Sequence, residues 1–231
     1  GTTDGNGPGA LFIDPQGIGV DSLGNVYVAD SFAQTIRKID PQGNTSTLAG
    51  SAGRSGYADG PTATATFSLP TGLAVDGTGA VYVTEMGNQT VRVIHPSGIV
   101  STLAGQAGTG NTDGPGNRAL FASLDGMAVD ASDWVYVADT ANHTIRKISP
   151  EGIVSTFAGM PGIAGNADGP PSEARFSHPE SPAVDQAGNV YVADAWNHTI
   201  RKITPTGQVS TLAGSAGKHG SADDSGSAAR F

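Results

Sequence analysis

The chain contains no cysteine, which excludes both disulfide bridges and thiolate chemistry and leaves the redox compartment open. It has no apolar run of about 18 residues, the length that a membrane-spanning helix requires. Positive charge is scarce. Lys and Arg number 12 against 21 Asp and Glu, a net charge of −9. Phosphate backbones are held by clustered cations, so this balance argues against DNA or RNA as a partner. No Ser-His-Asp set, phosphate loop or dinucleotide fingerprint is visible. Abundant Gly, Ser and Thr with few Lys is the composition of a secreted or cell-surface bacterial repeat protein. The first residues already lie inside the repeat pattern, so no signal peptide is visible.

What the chain has in quantity is repetition. Four near-copies of one unit follow each other at spacings of 55, 54 and 55 residues. Each reads Pro-x-Gly-x-x-Val-Asp, then Gly-Asn-Val-Tyr-Val-Ala-Asp, then Asn-His-Thr-Ile-Arg-Lys-Ile, then Val-Ser-Thr-Leu-Ala-Gly, with a glycine-rich insert after it. The Val-Asp aspartates are Asp21, Asp76, Asp130 and Asp185, and the arginines are Arg37, Arg92, Arg146 and Arg201. A period of this length marks a solenoid, a propeller or a repeat array. With 37% apolar residues the stacked units can build a sizeable core.

Four short runs in each unit have the strand signature of alternation bounded by Gly, Pro, Asn or Asp. In the first unit they are Gly17 to Asp21, Asn25 to Asp30, Thr35 to Ile39 and Thr45 to Ala49. Leu23-Gly24-Asn25 and Asp40-Pro41-Gln42-Gly43 are tight hairpin links, with glycine free to take φ > 0. Four hairpin-linked antiparallel strands per unit predict an all-β protein, a β-propeller with four four-stranded blades in this chain. The predicted layout is one domain over 1–231, with a leading insert at 1–12 and blades at 13–67, 68–121, 122–176 and 177–231. There are four strand sets but five inserts, and a closed ring of four has only four junctions. Phe12 and Phe231 would then compete for one slot. The alternatives are a closed four-bladed ring, part of a larger propeller, or a homo-oligomer formed through the faces of an incomplete ring. A segment of a longer array, or an engineered or trimmed one, fits the terminal pieces best.

The run from Asn189 to Ile203, and the similar run from Trp134 to Ile148, resembles the NHL repeat, a β-propeller blade. The resemblance extends over all four units. It implies a propeller fold without implying one activity, because such propellers include protein-binding modules, RNA-binding modules and a few metal-dependent enzymes. Two features depart from the family: the unit is about a dozen residues longer, all of it in the insert, and family members usually close with six blades.

Strand alternation places the insert and the loop between second and third strands on one face. Sequence variation concentrates there, at Phe32, Met86, Ala141 and Trp196. Loops on a rigid scaffold are the usual place for binding, so Phe32, Met86, Asn142, His143, Trp196, Asn197 and His198 are the candidate ligand-binding residues. Because other units carry Gln34 and Gln89 at the position of His143 and His198, that side chain is expected to make a hydrogen bond. Gln16, Thr71, Asp125 and Glu180 are the candidate channel mouth, which would be polar and acidic. Asp30, Glu85, Asp139 and Asp194 stand seven residues before the arginines and can pair with them across a hairpin. The recurring Phe of each insert is expected to plug the insert onto a blade.

No catalytic residue is assigned and no cofactor is required. Asp59, Asp113 and Asp168 are the weaker metal candidates, because calcium takes six to eight oxygens and each insert offers mainly one acid. Amidating lyases of this fold use a histidine-bound metal in the channel, but no triplet of histidines falls on equivalent inner-strand positions here. The functional expectation is a non-catalytic binding or scaffold propeller for a protein, peptide or glycan. The alternatives are a metal-dependent lactonase- or lyase-type enzyme and a structural or engineered repeat module.

Overall fold

A computed structural model describes residues 1–231 and contains strands and single 3-10 turns, with no α-helix. Blade 1 is built from Pro15–Val20, Val26–Asp30, Thr35–Ile39 and Asn44–Gly50. Blade 2 uses Pro70–Val75, Val81–Glu85, Thr90–Ile94 and Ile99–Ala104. Blade 3 uses Leu124–Val129, Val135–Asp139, Thr144–Ile148 and Ile153–Ala158. Blade 4 uses Pro179–Val184, Val190–Asp194, Thr199–Ile203 and Val209–Gly214. Each blade is an antiparallel meander in chain order, as the alternation and hairpin signals predict. The insert adds something those signals do not reveal. Its Asp-Gly corner continues into a two-residue strand, Gly5–Asn6, Gly60–Pro61 or Gly114–Pro115, that pairs with the outermost strand of the following blade. In blade 4 a single bridge from Gly169 to Val209 takes its place.

The turn chemistry is local and repeated. Asp21 Oδ1 accepts the amides of Leu23 and Asn25, both at 2.9 Å, and Oδ2 accepts the Tyr27 hydroxyl at 3.0 Å. The Val-Asp aspartates are therefore turn formers that also anchor the tyrosine of the second strand. Burial and Asp21 together push the Tyr27 hydroxyl up to about 12.

The blades stand around one axis with their first strands innermost, which makes the molecule a β-propeller. Neighbouring inner strands approach very closely. A Cβ at Gly17 would fall 2.3 Å from the Thr71 carbonyl oxygen, and one at Gly72 would fall 2.6 Å from that of Asp125. At Gly126 it would lie 2.5 Å from the Ser181 Cα. The glycine of Pro-x-Gly is thus dictated by the next blade rather than by its own turn.

Three apolar cores fill the three junctions between successive blades. Between blades 1 and 2, Tyr27, Ala29, Ile36 and Ala49 meet Leu73, Val81, Val83, Ile94 and Val100, with Phe67 of the insert among them. The other two cores repeat this set around Phe121 and Phe176. No fourth core joins the last blade to the first. Ile18 of blade 1 is 65% exposed, whereas its counterpart Leu73 is 5% exposed. Leu212 of blade 4 is 50% exposed.

Phe67, Phe121 and Phe176 are fully buried, each ring lying under the arginine of the following blade at 5.0–5.2 Å. Phe121→Ala is expected to destabilise the fold by about 3–5 kcal/mol, the range for truncating a packed phenylalanine. Chemical denaturation of the variant against the parent checks this, and a loss below about 1 kcal/mol would mean the ring is not packed.

Candidate functional site

The geometry of the loop face starts from a buried charge. In blade 3, Arg146 Nη1 donates to Asp139 Oδ2 at 2.7 Å and to the Leu120 carbonyl at 3.0 Å. Its Nη2 donates to Asp113 Oδ1 at 2.5 Å and to the Thr112 carbonyl at 3.1 Å. Arg92 and Arg201 repeat the set with Glu85 and Asp59, and with Asp194 and Asp168. The cross-hairpin acid–arginine pair is as the seven-residue spacing predicts. The second acid, from the insert, is the partner that sequence reasoning missed. Burial pushes the carboxyls of Glu85, Asp139 and Asp194 up, and the arginine and neighbouring donors oppose it.

This network fixes the loop between second and third strands. Asp139 Oδ2 also accepts Asn142 Nδ2 at 2.8 Å, and the same amide group donates to the Gly110 carbonyl of the insert at 2.7 Å. Asn197 does the same with Asp194 and Gly165. Asn142 and Asn197 are both buried. Their side chains thus serve the scaffold rather than an open surface. The loop forms one 3-10 turn, Ser31–Ala33, Thr140–Asn142 or Ala195–Asn197. A left-handed residue follows, with φ of 63° at Gln34, 57° at Gln89, 59° at His143 and 55° at His198.

That left-handed residue is a latch to the next blade. Gln34 Oε1 accepts the Leu69 amide at 2.8 Å, and His143 Nδ1 accepts the His178 amide at 3.2 Å. The hydrogen bond inferred from the Gln/His interchange is therefore present, and it crosses a blade junction. Burial, then the neighbouring His178, holds the His143 imidazole below its ordinary value.

The side chains left facing outward from this rigid loop are the variable ones. Trp196 is 66% exposed and Phe32 63% exposed, and Met86 and Ala141 are also exposed. The Trp196 indole stacks on the His178 ring with centroids 3.4 Å apart and planes inclined by 22°, and His178 in turn meets His143 edge-on at 4.6 Å. His198 lies 5.6 Å from His219 of the last insert, ring centre to ring centre. Residue chemistry alone did not disclose His178 as the platform under Trp196. Its place one step after Ser177 in the fourth inner-strand approach is the signal that could have found it.

Gln16, Thr71, Asp125 and Glu180 converge on the axis, where all four inner strands line a cavity of about 430 Å³. Thr71 is tied down by Thr84 Oγ1 and the Leu124 carbonyl. Burial raises the Asp125 carboxyl above its ordinary 3.8. Burial, then Asp125, raises Glu180 above 4.5, with His178 acting the other way. The insert acids Asp59, Asp113 and Asp168 each hold an arginine and a threonine through both carboxylate oxygens, so a calcium ion there would meet a guanidinium.

A carboxyl whose folded-state pKa is raised stabilises the fold below its unfolded pKa and loses that contribution as pH rises through the folded value. Asp125→Asn is therefore expected to raise the thermal midpoint at pH 7. The gain should vanish as pH falls below the ordinary 3.8, which a series of melts against pH would show.

Comparison with known proteins matches this architecture. The family model for the NHL repeat matches residues 176–203. Teneurin-3 from Danio rerio is 31% identical over 222 residues, an alignment covering 84% of the chain and 8% of that protein. NHL repeat-containing protein 2 from Homo sapiens is 29% identical over 252 residues, covering 93% of the chain and 34% of that protein. The chain thus spans about a third or less of these relatives. Among solved structures, a structural-genomics protein of unknown function from Bacteroides thetaiotaomicron VPI-5482 superposes with a TM-score of 0.69 at 24% identity, covering 85% of this chain and 47% of that one. An auxiliary nutrient binding protein from the same organism gives 0.61 at 17% identity, covering 100% and 65%. A catalytically inactive virginiamycin B lyase from Staphylococcus aureus with quinupristin gives 0.59 at 15%, covering 85% and 54%. At these identities the structural likeness is one of fold. The repeat motif, the blade topology and the relatives agree, and the chain belongs to the NHL-repeat family of β-propellers.

Proposed function

We propose that this propeller is a non-catalytic binding module whose loop face holds a protein, peptide or glycan. The observation that carries the reading is Trp196, a large aromatic ring left 66% exposed on a turn whose backbone is locked by Asp194, Asn197 and Arg201. Aromatic side chains held rigid and partly in water supply contact area at little further entropic loss, which is why they dominate recognition surfaces. Phe32 and Met86 offer the same face apolar area from blades 1 and 2. The residues that recur in every blade are absorbed by the scaffold, so recognition falls to the residues that differ.

Trp196→Ala removes a ring that is exposed but stacked on His178, so it should cost about 0.5–1.5 kcal/mol of stability, the range for an aromatic pair, and leave the fold intact. It should weaken by about tenfold or more any ligand recovered by the parent on peptide and glycan arrays. A captured ligand whose affinity is indifferent to Trp196, Phe32 and Met86 would move recognition to another surface.

A second reading has one observation in its favour. The channel cavity brings two carboxyls, Asp125 and Glu180, near each other at the mouth, as a metal-dependent lactonase- or lyase-type enzyme would require. The two readings separate on metal content. The binding reading expects EDTA to leave the thermal midpoint in place. A fall of about 10 °C would instead assign a bound cation to the fold, and elemental analysis of the purified chain would then identify it.

A further inference from the structure

Each junction between successive blades is crossed by one side-chain acceptor that reaches a backbone amide of the next blade. At the first, Gln34 Oε1 accepts the Leu69 amide at 2.8 Å, and at the second, Gln89 Oε1 accepts that of Leu124 at 3.4 Å. At the third the acceptor is His143 Nδ1, which takes the His178 amide at 3.2 Å. A carboxamide oxygen accepts at any pH. An imidazole nitrogen accepts only while it is unprotonated, and imidazole titrates near neutrality. The third junction is therefore the one whose latch titrates.

The corner that this latch holds is strained. Leu69, Ser123 and His178 stand at positive φ of 48°, 58° and 50°, a conformation that is costly for a residue with a Cβ and persists only where its surroundings impose it. Blade 4 holds the corner on one side: the His178 carbonyl accepts the Ala195 amide at 3.3 Å, and the Ser177 carbonyl accepts that of Trp196 at 3.1 Å. Blade 3 holds it on the other, through His143 and through Thr140 Oγ1, which donates to the Pro179 carbonyl at 2.8 Å. Leu69 and Ser123 offer no aromatic face, but the His178 ring backs Trp196 at 3.4 Å and meets His143 edge-on at 4.6 Å. Its Nδ1 is buried with no partner, so that atom does nothing to hold the ring. The latch and the exposed indole are thus joined through one residue.

Few charges face His143. Burial, then His178, sets its imidazole below the ordinary 6.5, and Asp194 of blade 4 acts the other way. Asp194 is itself engaged by Arg201, Asn197 and the Ser177 amide. Glu180 stands behind His178 at the channel mouth. In blade 3, Asp139 and Arg146 are paired with each other at 2.7 Å. The insert packs on the His143 carbonyl at Gly159; its residues 159–165 carry no titratable side chain, and Arg175 is held by the Ser172 and Ala174 carbonyls and the Met160 sulfur. A histidine depressed in the closed state contributes fully above its free value of 6.5, and that contribution is lost as pH falls through the closed-state value. Acid therefore favours release.

We propose that His143 is a pH-operated latch for the Trp196 platform. A proton on Nδ1 turns the acceptor into a donor that faces the N–H of His178. That amide loses its partner, the corner relaxes from its left-handed conformation, and the His178 ring leaves the face of Trp196. The two junctions latched by glutamine stay closed. The consequence for a bound ligand rests on the reading of Trp196 as the recognition residue, whereas the latch does not.

Amide exchange of the full chain, followed residue by residue by NMR, tests the latch with no ligand present. Between about pH 7.5 and about pH 5, after correction for intrinsic rates, protection of the His178 amide should fall about tenfold or more while that of Leu69 holds. His143→Gln puts in this junction the side chain that the other two use, so protection should become independent of pH. His178→Leu introduces the corner residue of the first junction, keeps the backbone amide and should keep its pH response. In a Trp134→Phe background Trp196 is the one indole left. Its fluorescence should titrate with the midpoint of the exchange, and should stop titrating when His143→Gln is added. Constant protection in the parent, or equal loss in His143→Gln, would overturn the proposal. A parallel loss at Leu69 would do so as well, because the whole fold would then be opening. So would exchange that titrates while Trp196 fluorescence does not, since latch and platform would be uncoupled. A latch that titrates as expected, beside ligands indifferent to Trp196, would leave the proposal standing and remove the binding reading alone.

Discussion

Each blade is organised around an arginine that water cannot reach. A guanidinium buried without partners would be prohibitively unfavourable, and a buried pair broken on one side costs about 3–5 kcal/mol. The fold meets this with two acids from different places, one closing the second strand and one from the preceding insert, plus two carbonyls of that insert. The result is a single charged centre that joins hairpin, insert and loop. The insert can be long and rich in glycine because the arginine, and the phenylalanine beneath it, hold it in place. The shorter acid leaves a gap in this centre. Glu85 reaches Thr90 Oγ1 at 2.6 Å, while the equivalent hydroxyls of Thr35, Thr144 and Thr199, beside aspartates, find no partner.

The second constraint is the close approach of inner strands. It demands glycine at Gly17, Gly72 and Gly126, and relaxes only at Ser181, which has no blade after it in this chain. Together the two constraints make the blades nearly interchangeable and confine freedom to the outward side chains of one loop. That division lets a propeller carry recognition without disturbing its own packing: Trp196, Ala141 and Phe32 occupy one position with very different side chains, while Asn142 and Asn197 beside them are buried and shared.

The strands, hairpins and cross-hairpin acid–arginine pairs were legible because each depends on neighbours within a few residues. Tyr82 and Asp76 are six apart, and Glu85 and Arg92 seven. The insert aspartate was not legible as a partner of the arginine, because Asp59 and Arg92 are 33 residues apart and meet only after the insert folds back on the next blade. Asp-Gly reads as a turn, and nothing in that dipeptide tells of a guanidinium above it. Asn142 and Asn197 read as exposed loop amides for a related reason, since residue type does not disclose which way a loop turns. Their recurrence, with Asn88 in a third blade, was the available sign of a scaffold role.

By itself the sequence determined the repeat, the strand pattern, the pairing inside each blade and the identity of the residues that junctions use. These follow from alternation and turn chemistry, which act over short separations. The tertiary structure alone decided which junctions are filled. Leu48 and Leu212 are the same residue at the same point of the unit, yet one packs against the following blade and the other stands half in water. A side chain's type sets how much its burial contributes, but a neighbouring surface must be present for that burial to occur, and no local pattern specifies one.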